Sequence, residues 1–286
     1  MSNIGRLNSV VRAWESGKPA FGSFASADRT TAITFSTTPY DGVVFEMEHN
    51  AWDPSALQDA MQYLLDRRLI ARSGSVASSV TPLVRIPPNG DERNQWLAKQ
   101  ALDRGAYGII WPHISTGEQA MNAVAACRYP RPKGAPRYLP AGLRGDGPTT
   151  ACRYWGLTQQ EYYTKADVWP LDPNGEVLAI LMIEDTQGIG NLRSILKDVP
   201  GVGAILIGEG DLSQELGVPR QYDHPEVRAA MAEIVAVCKE FDVPVGHPHV
   251  GNDNIERVLQ EGYRLLLASP VRSLAPLEKG RKLAGR

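Results

Sequence analysis

The sequence predicts an α/β protein built as a single (β/α)8 TIM barrel, and three observations support this fold class. Eight short apolar runs rich in β-forming residues alternate with longer segments of helical periodicity, which is typical of a parallel sheet wrapped by helices. Several of these runs are continuously apolar, as expected for strands that are covered on both faces. The length of 286 residues is usual for one barrel, so we predict one domain over residues 1–286.

The predicted elements follow one another along most of the chain. Asp53-Pro54 begins one helix, because Asp is a good N-cap, Pro is favoured in the first turn, and apolar residues then recur at helical spacing. Asp223-His224-Pro225 begins another helix in the same way. The eight predicted strands are Ala20–Ala25, Gly42–Met47, Leu83–Ile86, Tyr107–Trp111, Leu178–Ile183, Ala204–Ile207, Val243–Gly246 and Leu265–Ala268.

One long segment, residues 128–175, interrupts the alternation after the fourth strand and its helix. It is irregular and rich in Pro, Gly, Tyr and Trp. A segment of this length within one domain is usually a lid, a subunit contact or a functional insertion. We therefore predict an extended region at 128–175 that lies near the active site or a subunit interface.

Composition and charge exclude several classes of protein. The formal net charge of −2, with scattered Lys and Arg, is unlike the basic surface of a nucleic-acid-binding protein. No run of about 18 apolar residues predicts a membrane span, and the polar stretch Met1–Lys18 is unlike a signal peptide. The three cysteines match no zinc or redox spacing, which favours a reducing compartment. We expect a cytoplasmic protein with no nucleic-acid or membrane partner.

Ionisable residues gather where the predicted strands end. In a barrel of this type the catalytic groups lie at the C-terminal ends of the strands. Charged groups at the ends of apolar strands are costly to desolvate unless they bind something, so a ligand or metal ion is expected there. In strand order the ionisable residues are Glu46, Glu48 and His49; Arg85; His113; Glu184; Glu209 and Asp211, which alternate with Gly208 and Gly210; and His247 with His249.

Two of these acids are candidate metal ligands. Glu184 and Asp211 follow adjacent strands, so their carboxylates can converge on one cation. Two carboxylates completed by water and substrate oxygens suit Mg²⁺ or Mn²⁺, which prefer octahedral oxygen coordination. The alternative is structural, because Asp is also a good N-cap and Asp211 precedes a helical pattern.

Arg85 and His49 are the candidate catalytic residues. Arg85 lies in an apolar run and keeps its charge, so it must face an anion, either a substrate or Glu46 or Glu48 in a structural ion pair. His49 follows those two acids, which favours general acid–base chemistry over a neutral core imidazole.

The other histidines are weaker candidates. His224 has the position of a helix-start residue, and His113 has no partner that the sequence identifies. His247 and His249 would lie on one face of an extended chain, which leaves a transition-metal site open as an alternative.

These stretches resemble the class II, metal-dependent pyruvate aldolases of the 4-hydroxy-2-oxoheptanedioate aldolase type, within the HpcH/HpaI aldolase/citrate lyase superfamily. The resemblance covers most of the chain from Ala20 to Ser269, and the motif around the predicted sixth strand is the most specific. The matching stretches are Asp41–His49, Pro82–Pro87, Ala101–Pro112, Arg128–Pro130 with Gly142–Gly145, Ile183–Asp185, Pro200–Gly217, His224–Val227 and Glu261–Tyr263.

The resemblance implies roles for these residues. It implies that Glu184 and Asp211 hold a divalent metal, Mg²⁺ or Mn²⁺ first and Co²⁺ or Zn²⁺ as alternatives, on which pyruvate binds through its keto and carboxylate oxygens. It implies that Arg85 stabilises the pyruvate enolate and that His49, paired with an acid on its own strand, moves protons. Gly208 and Gly210, in the same motif as Asp211, are assigned with Arg85 and Asp211 to substrate binding.

The resemblance also implies a homo-oligomer, a hexamer or trimer of dimers, with the last helix exchanged between neighbours; Leu274–Leu283 is the candidate helix. Three features depart from the family pattern. Glu46 stands where Asp is usual, Met182 stands where Gln is usual, and Arg131–Ala141 expands a short turn. All three are expected near the substrate, so the aldehyde is expected to differ from that of the typical members.

The functional expectation is therefore an aldolase that splits a 4-hydroxy-2-oxo acid into pyruvate and an aldehyde and catalyses the reverse addition. Decarboxylation of oxaloacetate, or a specialised step that forms a carbon–carbon bond through the same enolate, is the first alternative. A CoA-thioester lyase is disfavoured, because no basic site for nucleotide phosphates is evident. A catalytically silent barrel that binds a small acid is the alternative from another class.

Overall fold

The computed structural model describes residues 4–268 and 274–286, and in it eight parallel strands close into a barrel with helices between them. The predicted (β/α)8 fold is thereby confirmed. Parts of two predictions, the single domain over 1–286 and the N-terminal stretch Met1–Lys18, lie outside the described residues. In the part of the chain that is described, no helix is long and apolar enough to cross a membrane.

The barrel closes through the pairing of β4 with β6, in which Gly108 lies beside Leu178 and Trp111 beside Leu181. A two-residue strand, β5, pairs with β6 in addition to the ring. The strands are β1 (Ala20–Ala25), β2 (Gly42–Glu46), β3 (Thr81–Arg85), β4 (Gly108–Trp111), β5 (Val168–Trp169), β6 (Val177–Ile183), β7 (Ala204–Ile207), β8 (Val245–His247) and β9 (Leu265–Ala268).

The helices surround this ring and alternate with its strands. They are α1 (Ser9–Glu15), α2 (Arg29–Ser36), α3 (Pro54–Tyr63), α4 (Arg67–Ser73), α5 (Trp96–Asp103), α6 (Gly117–Ala126), α7 (Thr149–Trp155), α8 (Gln159–Lys165), α9 (Thr186–Asp198), α10 (Glu209–Glu215), α11 (Pro225–Glu240), α12 (Ile255–Glu261) and α13 (Ala275–Leu283).

Strand β6 shows how the sequence specifies the two cores. All seven of its residues are buried, and they alternate between two clusters. Leu178, Ile180 and Met182 belong to the cluster inside the barrel, whereas Leu181 and Ile183 belong to the layer between the barrel and its helices. Because side chains alternate along a strand, every residue of β6 faces apolar atoms, which explains the uninterrupted apolar run.

Helix α1 covers the N-terminal end of the barrel. Val10 and Trp14 pack in the same cluster as the inward-facing strand residues. The Trp14 indole donates to the carbonyl of Arg264, just before β9, and the Asn8 side chain donates to the carbonyl of Glu176, just before β6. This end of the barrel is therefore closed, and the opposite end is the one open to a ligand.

The segment 128–175 contains ordered structure, since α7, α8 and β5 lie within it. Trp155 in α7 stacks on Tyr107 with ring centroids 4.1 Å apart, and its indole donates to the carbonyl of Gly105. Arg128 is buried and pairs with Asp167. These contacts lie beside the start of β4, at the N-terminal end of the barrel, and the placement of the segment near an active site or subunit interface stays a prediction.

Helix α13 packs on its own barrel. Its Leu277 is fully buried, and Gly280 lies close to Phe21 of β1. Just beyond the helix, Arg286 forms an ion pair with Asp41. Exchange of this helix between neighbouring subunits stays a prediction.

Candidate active site

A cavity of about 400 Å³ opens at the C-terminal end of the barrel. Its position follows from the parallel strands, whose C-terminal ends all meet at this edge. The cavity brings together Glu46, His49, Arg85, Met182, Glu184, Gly208, Gly210, Asp211 and His249 from the sequence prediction, together with Phe24, Asn50, Ile207, Glu209, Gln214, Arg220, Tyr222 and Pro248.

Glu184 is the buried carboxylate at the centre of this arrangement. It follows β6 directly, and only 4% of it is exposed. One oxygen, Oε1, accepts the backbone N–H of His113 at 2.5 Å. The other oxygen, Oε2, is buried without a hydrogen-bond partner among the described residues. Burial therefore raises the pKa of Glu184, and the nearby carboxylates of Glu48 and Asp211 raise it further.

The backbone around Glu184 is shaped to approach it closely. A Cβ atom at Gly208 would lie 2.4 Å from the Cβ and from Oε2 of Glu184, so this position requires glycine. His113 has a φ of 62°, which a residue with a side chain rarely adopts and which directs its N–H to Glu184. A Cβ at Gly210 would meet nothing within 4 Å, so the steric requirement for glycine applies to Gly208 and not to Gly210.

Asp211 lies in the first turn of α10, whose N-cap is Gly208. It is therefore not the N-cap that the structural alternative required. Its carboxylate is exposed, lines the cavity with Glu184, and forms no hydrogen bond or ion pair within residues 4–268 and 274–286. The exposed carboxylate of Asp211 and the buried carboxylate of Glu184, one oxygen of which has no partner, could supply some of the ligands of a cation.

The residues present fit a divalent cation. Four carboxylates and two guanidinium groups line the cavity, so the formal charge there is −2 with neutral histidines. Oxygen donors of this kind suit a hard cation with water in its remaining positions. The described residues contain no cluster of three His, Cys, Asp or Glu side chains able to enclose a metal ion, so Glu184 and Asp211 would hold it as an open site.

Arg85 forms the ion pair that the sequence left open as the structural alternative. Its Nε donates to Glu46 Oε2 at 2.6 Å, and Nη2 contacts the same oxygen. Its Nη1 lies 2.9 Å from Glu48 Oε2 and 4.0 Å from the sulfur of Met182. Three N–H groups of the guanidinium therefore contact carboxylates, which hold the positively charged side chain of Arg85 at the cavity wall.

His49 differs from the expected arrangement. Glu46 does not reach its ring; Glu46 Oε1 accepts the backbone N–H groups of Glu48 and His49 at 2.8 and 3.1 Å. The imidazole Nε2 instead lies 3.6 Å from Glu48 Oε2, with 70% of the His49 side chain exposed. The acid nearest to the ring is therefore Glu48, because the Glu46 carboxylate is occupied by Arg85 and by the turn after β2.

The Glu48 side chain is also buried, with 4% of it exposed. Burial raises its pKa to about 7, although the nearby Arg85 cation lowers it. A carboxyl group with such a pKa exchanges protons near neutral pH. The Glu48 carboxyl group lies beside the ring of His49, which lines the cavity.

The structure also shows the positions of the candidate residues Met182 and His113. Met182 is buried inside the barrel, with its sulfur facing Arg85. The His113 ring points to Glu92, with Nδ1 and Oε1 3.0 Å apart, so its backbone N–H serves the site while its ring binds a neighbouring loop.

His247 and His249 contact an acid to which the sequence assigned no role. His249 Nδ1 forms a short hydrogen bond with Glu209 Oε1, and His247 Nε2 lies 3.9 Å from Glu209 Oε2. Burial lowers the pKa of His247 to about 4, so that ring is neutral. Glu209 lies within the most specific motif of the sequence, but the sequence does not show that this side chain is buried. The sequence did not indicate Arg220 and Tyr222, because the segment after α10 that contains them has no recognisable motif.

Comparisons with known proteins agree with the barrel fold. Residues 21–268 match the model of the HpcH/HpaI aldolase/citrate lyase family. A hydroxypyruvate/pyruvate aldolase from Sagittula stellata is 31% identical over 242 residues, which cover 84% of this chain and 81% of that protein. A 5-keto-4-deoxy-D-glucarate aldolase from Escherichia fergusonii is 30% identical and covers 72% of this chain and 68% of its own.

Solved structures show the same fold. An HpcH/HpaI aldolase/citrate lyase family protein from Burkholderia cenocepacia superposes with a TM-score of 0.76 and 28% identity, covering 96% of this chain and 97% of that one. The family match over residues 21–268 includes Glu184 and Asp211.

Proposed function

Because the chain belongs to the HpcH/HpaI aldolase/citrate lyase family, we propose that it is a metal-dependent pyruvate aldolase, a carbon–carbon lyase. It cleaves a 4-hydroxy-2-oxo acid to pyruvate and an aldehyde, and it catalyses the reverse addition. The observation that carries the proposal is the buried Glu184, whose Oε2 has no partner among the described residues and faces the same cavity as Asp211. The aldolase names of the relatives support it.

Glu184 and Asp211 would hold the divalent ion, Mg²⁺ or Mn²⁺ by donor chemistry. When bound, the ion supplies positive charge that polarises the keto group of pyruvate and lowers the energy of the enolate. The charge of the lining residues and the orphaned oxygen of Glu184 support this assignment.

Arg85 binds and orients the carboxylate or enolate oxygen. One of its N–H groups faces only the sulfur of Met182, a weak acceptor that a ligand oxygen can replace. Glu46 and Glu48 hold the guanidinium rigidly, so its charge is in place before the enolate forms. Charge that is oriented in advance lowers the barrier most where negative charge develops.

His49 and Glu48 move the protons. In the cleavage direction a base removes the proton from the 4-hydroxyl group, the C3–C4 bond breaks, the aldehyde leaves, and C3 of the enolate takes up a proton. Addition reverses these steps, and no oxidant or reductant is consumed. The exposed His49 ring beside Glu48 connects the cavity to solvent water and supports this role.

The proposal is tested with purified protein and a panel of 4-hydroxy-2-oxo acids, with Mg²⁺, Mn²⁺ or Co²⁺ or with a chelator. Pyruvate release is expected only with metal. The double variant Glu184→Gln/Asp211→Asn is expected to lose it, whereas the matched control Glu240→Gln/Asp242→Asn, with both acids exposed on the outer surface, keeps it. No release from any acid of the panel with metal present would overturn the proposal, and release from oxaloacetate alone would replace it with a decarboxylase.

A further inference from the structure

Glu209 and His249 form a second carboxylate–imidazole pair in the cavity. In the ring of strands, β7 and β8 lie opposite β2 and β3, which carry Glu46 and Arg85. Glu209 follows β7 and His249 follows β8. The cavity therefore has two polar walls, one formed by the residues around Arg85 and the other by Glu209 and His249.

This pair is built from buried parts. Only 3% of the Glu209 side chain is exposed. Its Oε1 binds Nδ1 of His249, and its Oε2 faces Nε2 of the buried His247 at 3.9 Å. The backbone N–H of His249 donates to Nδ1 of His247 at 3.2 Å. Glu209 is thus fixed between two imidazoles, and the ring of His249 is held from both its backbone and its side chain.

The geometry leaves one nitrogen of His249 for a ligand. A carboxylate at Nδ1 keeps the proton on that atom, so Nε2 is the remaining polar atom of the ring. Nε2 has no hydrogen-bond partner in the part of the chain that the structure describes, and the His249 side chain, 43% exposed, lines the cavity. Tyr222 stacks on the ring at 5.5 Å with an angle of 14° between the planes, which fixes its orientation.

A metal ion is not the occupant that this pair fits. Both nitrogens of His247 already face His249 and Glu209. Among the described residues, no three His, Cys, Asp or Glu side chains form a cluster that could hold a metal. A hydroxyl group fits better, because it both donates and accepts a hydrogen bond and so pairs with Nε2 in either protonation state of the imidazole.

We propose that Glu209, His249 and Tyr222 form an acceptor subsite that binds the hydroxyl group of a hydroxyaldehyde. The inference rests on the proposed aldolase function, since it places pyruvate at Glu184 and Arg85 and the aldehyde on the opposite wall. His249 binds the hydroxyl through Nε2, Tyr222 stacks on the ring, and Glu209 is a positioning residue that holds the ring. A site built to bind a hydroxyl discriminates against an analogue that lacks it.

The test compares glycolaldehyde with propanal, which has the same number of heavy atoms and a methyl group in place of the hydroxyl. The wild type is expected to have a kcat/KM for glycolaldehyde about tenfold or more above that for propanal in metal-dependent addition to pyruvate. In His249→Phe, which keeps an aromatic ring against Tyr222, this ratio is expected to fall to about one. Glu209→Gln is expected to lower the ratio by raising the KM for glycolaldehyde.

The surface variant His224→Asn is the control and keeps the wild-type ratio, because His224 caps α11 and Asn is an equally good cap. If His249→Phe does not fold, His249→Asn gives the same comparison. A wild-type ratio near one, or a ratio that His249→Phe leaves unchanged, overturns the subsite.

Exchange of the pyruvate methyl protons in D₂O with metal and no aldehyde separates the two proposals. Exchange by the wild type together with an unchanged ratio in His249→Phe overturns the subsite alone. Absence of exchange overturns the aldolase function and the subsite with it.

Discussion

Two buried glutamates lie at opposite ends of the same strand, β6, and their surroundings differ completely. Glu176 precedes the strand and is 0% exposed; its carboxylate accepts the backbone N–H groups of Leu7 and Asn8 and lies within 3.5 Å of Arg6 and Lys165. Glu184 follows the strand and is 4% exposed, with one backbone N–H on one oxygen and none of the described residues on the other.

The difference between the two carboxylates distinguishes a structural role from one that leaves a carboxylate available to a ligand. A buried charge is tolerated when it is paired and hydrogen-bonded, as at Glu176, where the residues before α1 are tied to the bottom of the barrel. A buried carboxylate with an unpartnered oxygen lowers stability, so we expect Glu184 to bind a ligand or cation. At the C-terminal end Glu46, Glu48 and Glu209 have cationic or imidazole partners, whereas Glu184 and Asp211 have none among the described residues.

The largest expected effect is on Glu184. Glu184→Gln keeps the shape of the side chain and removes the charge that would hold the cation. We expect a loss of activity of about 10³-fold or more in pyruvate release at saturating metal. Stability to urea, measured in a chelator, should be equal or higher, because an unpaired buried carboxylate is removed. Lower stability with retained activity would reverse the comparison between the two glutamates.

Glu176→Gln is the matched change at the other end. We expect the free energy of unfolding to fall by about 3 kcal/mol, since Arg6 and Lys165 lose their buried counter-charge. Activity per folded molecule should stay within about twofold, because the side chain lies at the closed end. Urea denaturation measures the first effect. Glu15→Gln, at the exposed partner of Arg6, is the control and should cost less than about 0.5 kcal/mol.

The same substitution at two arginines, one at each end of the barrel, extends the comparison between the two ends. Arg85→Lys keeps a positive charge but loses the forked geometry that contacts Glu46 and Glu48, so kcat is expected to fall about 100-fold. Arg6→Lys makes the same chemical change beside Glu176 and should leave kcat unchanged. Equal effects of the two substitutions on kcat would contradict the division between the two ends.

The smallest expected effect concerns the buried His247. Its pKa is lowered from 6.5 to about 4, so the neutral ring stabilises the fold above pH 6.5 and this contribution is lost as the pH falls toward 4. Between pH 8 and pH 5.5 the loss should be about 1 kcal/mol. His247→Asn keeps an acceptor for the N–H of His249 and should show a flatter pH profile of unfolding, measured with a chelator. An identical profile would count against a neutral buried ring.

The barrel itself was predictable because its signals are local. Continuous apolar runs gave the strands, and the acids placed at their ends gave Glu184 and Asp211. The second strand was placed one residue too long, to Met47, and the seventh was placed at Val243–Gly246 where β8 is Val245–His247. The amide of Val243 is still bonded to the carbonyl of Cys238, which belongs to the preceding helix.

Pairings between distant residues were not predictable. The sequence does not indicate the role of Glu176, because its partners Arg6 and Asn8 lie far away, near the start of the chain. The acid beside His49 was expected to be Glu46, whereas the turn after β2 directs Glu46 to Arg85 and brings Glu48 to the ring. A sequence pattern predicts where a strand ends, but it does not predict which of two acids after the strand contacts which partner.

The most direct test of the account is a titration of Mn²⁺ into three proteins, with binding followed by calorimetry in the absence of substrate. The wild type and Glu176→Gln are predicted to bind one ion with similar affinity, and Glu184→Gln is predicted to bind at least about 100-fold more weakly. Wild-type affinity in Glu184→Gln would contradict the assignment of the cation to this buried carboxylate.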